Sequence, residues 1–234
     1  MISNPKASPN DPDRCQSKGW VLIPARNEQV AIAELVGQLQ EFLPRVLVLA
    51  DNCHDQTALM ARRAGAQVIE RRGSGGKGRA LREGWSWLAS REDCDYVVLL
   101  DGDGQHDAGE VGKFITEWRR QPVDLIVGTR APFRLPMPLP RRWCNRWMSW
   151  LVSLKTRQRV SDSQCGFRLL GRRLFALPDW RSEHFEIETE IILRAAECGM
   201  VIGELPVATR YAQEPSRIAV VRDTLRWLRF MFCR

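Results

Sequence analysis

The densest chemistry in the chain lies between Tyr96 and Asp107, YVVLLDGDGQHD. Tyr96, Val97, Val98, Leu99 and Leu100 form an apolar run that reads as a buried strand. It leads straight into Asp101-Gly102-Asp103-Gly104-Gln105-His106-Asp107. Carboxylates this close repel one another unless a cation lies between them. The glycines let the backbone turn tightly and let a ligand approach it. Hard oxygen ligands suit Mg²⁺ or Mn²⁺ better than a soft metal. The pattern points to a divalent cation at a strand's carboxyl end, with a phosphate as co-ligand. Taken alone, a D-x-D reads more simply as a solvated Asp/Gly turn; the rest of the chain tips the balance toward the metal.

The elements that would position this loop alternate regularly. Strands are expected at Trp20–Ile23, Val46–Leu49, Gln67–Ile69, Tyr96–Leu100 and Leu125–Val127. Helical periods fill Glu28–Phe42, Asp55–Ala64, Lys77–Ser90 and Ala108–Arg119, with Asp55 as an N-cap. Connections this long exclude hairpins. They specify βαβ units: an α/β fold with a mainly parallel sheet and helices on both faces. Ligands of such sheets bind outside the carboxyl ends of the strands. The unusual residues fall there: Pro24-Ala25-Arg26-Asn27-Glu28, Asp51-Asn52-Cys53-His54-Asp55, Gly73-Ser74-Gly75-Gly76-Lys77-Gly78, the Asp101 cluster and Gly128-Thr129-Arg130. One edge thus gathers carboxylates, glycines and cations into a crevice.

At 234 residues the chain has the length of one large domain or one and a half, and its 44% hydrophobic content can fill a sizeable core. The formal charge is +7, almost all of it from Arg, since Lys occurs only at 6, 18, 77, 113 and 155. Arg excess suits phosphate recognition, or it reflects genome base composition. Basicity also fits an anionic membrane surface. It fits nucleic acid too, but no nucleic-acid motif accompanies it, and no nucleic-acid partner is expected. Seven scattered Cys with no C-x-x-C pair argue against a zinc site or disulfide framework and for a reducing compartment. No signal peptide is expected, and no apolar run reaches the ~18 residues a membrane span needs.

Residues 1–18 are polar, without periodicity, and read as a disordered lead-in. After Arg130 the composition changes. Pro132, Pro136, Pro138 and Pro140 interrupt regular structure. Seven basic residues and no acidic one lie between Arg134 and Arg159. Trp143, Trp147 and Trp150 share one helical stripe, beside Arg142 and Arg146. Two readings stand: a Trp stripe packed into the core, or a basic interfacial helix on anionic lipid. The segment 219–234 repeats the theme, with Arg222, Arg226 and Arg229 on one face. Acidic residues at Glu186, Glu188 and Glu190 read as helix-dipole partners.

Gly73, Gly75 and Gly78 satisfy G-x-G-x-x-G, but in the third βα turn, whereas a dinucleotide fingerprint occupies the first. Gly78 stands where a phosphate-binding P-loop needs Ser or Thr. The loop is therefore expected to support an anion or the metal loop. With these pieces in order, the chain resembles a family-2 glycosyltransferase of the GT-A fold, and among these the dolichol- or polyprenyl-phosphate sugar (mannosyl) synthases. The stretches that carry the resemblance are VLIPARNE (21–28), VLADNCHDQT (48–57), GGKGRALREGW (75–85), LLDGDGQHD (99–107), GTR (128–130), SDSQCGFRLL (161–170), EIETEIILRAAECGMVIGELPV (186–207) and, weakly, EPSRI (214–218).

The resemblance implies a metal-dependent, inverting hexosyl transfer from a nucleotide-sugar donor to a lipid-linked acceptor. Pro24, Arg26, Glu28 and Asp51 would surround base and ribose, and Lys77 would join the donor set. Asp101, Asp103 and Gln105 would hold Mg²⁺ or Mn²⁺ against the diphosphate. Arg130 and Arg168 would hold the acceptor's phosphate, and Ser216 and Arg217 would close over the donor. Asp162 would act as base for a hydroxyl acceptor, or only orient groups for a phosphate. Residues 19–130 would form the nucleotide-sugar half, 131–218 the acceptor half of the same domain, and 219–234 a basic amphipathic helix. Two departures leave the nucleotide open: the family's Asp-Asp pair is Ala50-Asp51, and its aromatic at the base site is Arg26. The family's larger members add membrane spans that are not found here, so a lipid acceptor implies peripheral contact, at the cytoplasmic face of the inner membrane. A hydroxyl acceptor, or a silent nucleotide-sugar-binding partner, are the competing readings.

Overall fold

The computed structural model describes residues 18–120, 123–130, 139–208 and 220–232. The lead-in before Lys18, and Pro132, Pro136 and Pro138, lie outside them. The elements in chain order are β1 (Gly19–Ala25), α1 (Ile32–Gln40), β2 (Val46–Asp51), α2 (Thr57–Arg63), β3 (Gln67–Arg71), α3 (Lys77–Ala89), β4 (Tyr96–Leu99), a 3₁₀ turn (Ala108–Glu110), α4 (Val111–Arg120) and β5 (Leu125–Arg130). Then follow α5 (Leu139–Thr156), β6 (Arg168–Gly171), α6 (Arg172–Phe175), α7 (Ile187–Glu197), β7 (Ile202–Val207) and α8 (Val220–Phe232).

Seven strands form one sheet in the order β3-β2-β1-β4-β6-β5-β7. The pairings β1–β2, β1–β4, β2–β3 and β5–β7 are parallel. The exception is β6, which runs antiparallel between β4 and β5. Because it is reversed, β6 begins at the edge where the parallel strands end. Arg168 registers with Leu99 on one side and Val127 on the other. Strands on both sides of residue 130 therefore share one sheet.

Side chains alternate across the sheet with the period of two that a pleat imposes. Trp20, Leu22, Leu47, Leu49, Val97, Leu99, Leu125 and Val127 enter one core, with residues of α3, α5, α7 and α8. Val21, Ile23, Val46, Val48, Tyr96, Val98 and Ile126 enter the other, with residues of α1, α2 and α4. The fold is thus α/β, mostly parallel, with helices on both faces.

Two helix starts differ from expectation. α1 begins at Ile32, not near Glu28, because Glu28 O accepts the N–H of Ala31 and Ile32 in a turn that keeps the first loop at the sheet edge. Asp55 lies one residue before the α2 cap. Its carboxylate accepts Thr57 N (3.0 Å) and Gln29 N (3.2 Å), tying that same loop to α2.

α5 buries Met148 and Val152 and turns its Trp stripe outward. Trp143, Trp147 and Trp150 are 73%, 43% and 56% exposed, so the core-packing reading of the stripe fails. Leu154 on α5 and Leu225 and Phe232 on α8 are exposed as well. α8 lies against α5: Lys155 Nζ donates to Met231 O at 2.7 Å, and the Trp147 and Trp227 rings are 6.1 Å apart. Arg226 does not join an open basic face, since it pairs with Glu186 and Asp223, each at 3.4 Å. The Arg222 side chain lies outside the described residues. Among those residues no helix is long and apolar enough to cross a membrane.

Candidate active site

The carboxyl ends of β1, β2, β3, β4 and β5 and the start of β6 bring most of the expected residues to one edge. Asp101 follows β4, and its Oδ1 lies 2.5 Å from Lys77 Nζ, carried in on the first residue of α3. Lys77 also reaches Glu188 Oε1 at 2.6 Å, from the start of α7. Burial alone would lower the Lys77 ammonium, but Asp101 and Glu188 outweigh it and hold it well above the usual lysine range. Burial likewise opposes ionisation of Asp101, and Lys77 and His106 reverse this, so its carboxyl stays below the usual range. Space for the pair comes from Gly166, where a Cβ would sit 2.5 Å from Asp101 Oδ2 and 3.0 Å from Lys77 Nζ.

Arg130, at the end of β5, forms a two-pronged pair with Asp162: Nε to Oδ2 at 2.7 Å and Nη2 to Oδ1 at 2.8 Å. Both side chains are largely buried. Both Asp162 oxygens are thus engaged by one guanidinium, and Oδ1 also accepts Gln164 N at 3.3 Å.

Arg168, to which the resemblance gives an acceptor role, lies inside the sheet. Its exposure is 0%. Nε donates to Cys165 O (2.7 Å), Nη2 to Ser163 O (2.9 Å) and Nη1 to Glu188 O. The guanidinium braces the 163–165 turn against α7 from inside the sheet, and no face of it is open to a phosphate.

Asp51 ends β2 and is buried. Its Oδ1 meets Arg71 at 2.5 Å, and its Oδ2 accepts Gly76 N at 2.6 Å. The Cβ position of Gly75 lies 3.1 Å from Asp51 Oδ2 and 3.5 Å from Arg26 Nη1, so Asp51, Arg26 and the glycine loop meet. A Cβ at Gly76 or Gly78 would collide with the carbonyl oxygens of Glu183 and Ser182. Those two glycines therefore serve close packing of α3's start against the 182–183 chain. Pro24 lies within β1 opposite Leu49. Glu28 N donates to Thr57 Oγ1 at 2.8 Å, and the residue is half-buried. Ser216 and Arg217 lie outside the described residues.

Gln105 N donates to Asp103 Oδ1 at 3.0 Å, ordering the Asp loop. Among the described residues no three His, Cys, Asp or Glu side chains converge as a closed metal cage. The donor set of Asp101, Asp103 and Gln105 nonetheless fits Mg²⁺ or Mn²⁺. Such hard cations are commonly held by one or two carboxylates, with substrate phosphates and waters completing the shell. His106 was not assigned a role from sequence. It is buried, its ring lies 5.1 Å from that of Phe167, and its Nδ1 has no hydrogen-bond partner among the described residues. Burial pushes it down to about 4, with Asp101 opposing and Arg130 and Lys77 assisting, so the imidazole is neutral.

Residues 20–175 match the family model described as "Glycosyl transferase family 2". The chain belongs to this family. A family-2 glycosyltransferase is an enzyme of sugar transfer, and its relatives agree. An uncharacterized glycosyltransferase of Mycobacterium tuberculosis is 32% identical over 193 residues, 80% of this chain and 83% of that protein. Glycosyltransferase AglJ of Haloferax volcanii is 30% identical over 209 residues, 88% of this chain and 67% of the relative. Among solved structures, glucosyl-3-phosphoglycerate synthase of M. tuberculosis, in complex with Mn²⁺, UDP and glucosyl-3-phosphoglycerate, superposes with TM-score 0.71 at 17% identity. That alignment covers 93% of this chain and 81% of the synthase. Mannosyl-3-phosphoglycerate synthase of Rubrobacter xylanophilus gives 0.70 at 18%, over 93% and 76%. At such identities the likeness is one of fold.

In this family-2 glycosyltransferase the acids of α7 are what sequence reading missed. Glu186, Glu188 and Glu190 are all buried. Each has a defined partner: Arg226, Lys77, and the N–H groups of Arg181 and Ser182. The available signal was three acids alternating with Ile187 and Thr189 ahead of Ile191 and Ile192, a pattern too apolar for a solvated helix turn.

Proposed function

We propose that the protein moves a sugar, with inversion, from a nucleotide-diphosphate sugar to a polyprenyl phosphate or another lipid-linked phosphate. The observation that carries the choice of acceptor is the Arg130–Asp162 pair. Both Asp162 oxygens already accept from one guanidinium, so the carboxylate is occupied, and a nucleophile that arrives already anionic needs no base. Arg130, its plane fixed by Asp162, would hold such a phosphate in the crevice. Asp101, Asp103 and Gln105 would hold Mg²⁺ or Mn²⁺. The bound cation would neutralise charge developing on the departing nucleoside diphosphate. Pro24, Arg26, Glu28 and Asp51 line the base and ribose end, and Lys77 adds a cation on the diphosphate side. Closure by Ser216 and Arg217 belongs to the same proposal.

A donor screen tests this reading. Purified protein with Mn²⁺ or Mg²⁺ is given each common UDP- and GDP-sugar, and nucleotide release is read with and without a bacterial lipid extract. The expected result is release from one donor, raised by lipid and lost with EDTA. Release indifferent to lipid would move the acceptor to a hydroxyl or water. No release from folded protein would overturn the transfer reading in favour of a silent partner.

Peripheral contact with an anionic membrane, at the cytoplasmic face of the inner membrane, completes the proposal. Its support is the outward Trp stripe of α5 with exposed Arg142 and Arg146 beside it. Exposed Trp beside Arg suits the boundary between headgroups and acyl chains. Replacing Trp143 and Trp150 together by Ala should weaken sedimentation with phosphatidylglycerol vesicles about tenfold. Thermal stability should not change, because neither ring is buried. Equal binding by the variant and its parent would remove the stripe from the membrane contact.

A further inference from the structure

Lys77 is a buried ammonium with two carboxylate partners, Asp101 Oδ1 at 2.5 Å and Glu188 Oε1 at 2.6 Å. The two partners differ in setting. The Glu188 side chain is as buried as Lys77, whereas that of Asp101 is 31% exposed and opens to the crevice. Glu188 is also fixed from behind. Arg168 donates to its carbonyl oxygen, and the next residue, Thr189, accepts Trp227 Nε1 at 2.7 Å. Asp101 is thus the partner with a face open to the crevice, and Glu188 the one enclosed.

A buried charge that loses its partner is strongly penalised. If Asp101 were the sole counter-ion of Lys77, turning it toward an arriving cation would strand the ammonium. We propose that Glu188 is a positioning residue for loading the metal and donor. It stays with Lys77 as the permanent counter-ion, so that Asp101 can exchange Lys77 for the cation. The role deepens the metal-dependent donor site proposed above and rests on it. Glu188 acts through Lys77 and Asp101 and touches neither donor nor acceptor.

The test is Mn²⁺ uptake by the full chain with saturating UDP or GDP, followed by loss of the free-Mn²⁺ EPR signal and needing no turnover. Glu188→Gln keeps the shape of the side chain and removes its charge. Its Mn²⁺ dissociation constant should rise about tenfold, an order expected from a partly exposed charge pair losing compensation. Glu188→Asp, which keeps the charge, should recover most of the affinity. In the double variant Lys77→Met/Glu188→Met no ammonium remains to be stranded, and Mn²⁺ should bind more tightly than in Glu188→Gln; the parent is not the reference here, because Lys77 itself belongs to the donor set. Melting curves identify the folded fraction of each variant, and apolar replacement of both members of a buried pair is well tolerated. Parent-like Mn²⁺ affinity in Glu188→Gln overturns the proposal alone, as does a double variant no better than the single one. A parent protein that takes up no Mn²⁺ with either nucleotide overturns the donor site together with this role.

Discussion

Replacing Asp103 by Ala should abolish sugar transfer while leaving the protein folded. The rate should fall on the order of 10³-fold or more, the scale of several kcal/mol of lost charge stabilisation at the leaving diphosphate. Stability should hardly move. Asp103 sits half-exposed in the loop after β4, and its loss removes the turn bond from Gln105 N, which contributes about 1 kcal/mol. That corresponds to a melting shift of about 2–4 °C in a domain of this size. Asp101 would make a poorer test, since it also contacts Lys77 and its removal changes two parts of the site at once. The checks are initial rates with the active donor and a thermal melt. Full activity in Asp103→Ala would remove the metal from the Asp loop.

The crevice itself was legible because parallel sheets place their loops at one edge, and period-two apolar runs mark the strands. Tyr96–Leu99 and Val46–Asp51 needed only local pattern. β6 was less visible. It has four residues, begins with a charged side chain, and is reversed between two parallel neighbours. Nothing in Arg168-Leu169-Leu170-Gly171 announces that reversal, and with it goes the fact that Arg168 starts inside the sheet. The Trp stripe shows a different limit. Spacing puts Trp143, Trp147 and Trp150 on one face of α5, but only packing against α7 and α8 decides whether that face is turned in or out. Pairs such as Lys77–Glu188, 111 residues apart, are set by tertiary packing, and a single sequence holds no record of them. Acids at the start of α7 looked like dipole partners because helix-local reasoning ends at the helix. Their partners come from α3, α8 and the 181–182 loop.

Arg168 separates a scaffold from a ligand by the quantity that changes. Its three donated bonds reach Cys165 O, Ser163 O and Glu188 O, all buried. Arg168→Met fills similar space and leaves three carbonyls without a charged donor. The expected loss is about 3–5 kcal/mol, since buried bonds to a charged group contribute more than neutral ones and the deserted acceptors stay buried. The melting temperature should fall by about 6–20 °C. Arg168→Lys should recover little of it, because an ammonium cannot span three carbonyls as a planar fork does. The acceptor KM of the fraction that remains folded should stay near that of the parent. If Arg168 held the acceptor phosphate instead, the pattern would invert: a nearly unchanged melt, a raised acceptor KM, and partial rescue by Lys through its retained charge. The backbone of Glu188 hangs on Arg168, so a loosened α7 should also reach Lys77 and Asp101. Arg168→Met should therefore weaken Mn²⁺ uptake and stability together, whereas Glu188→Gln should weaken Mn²⁺ uptake with little effect on the melt.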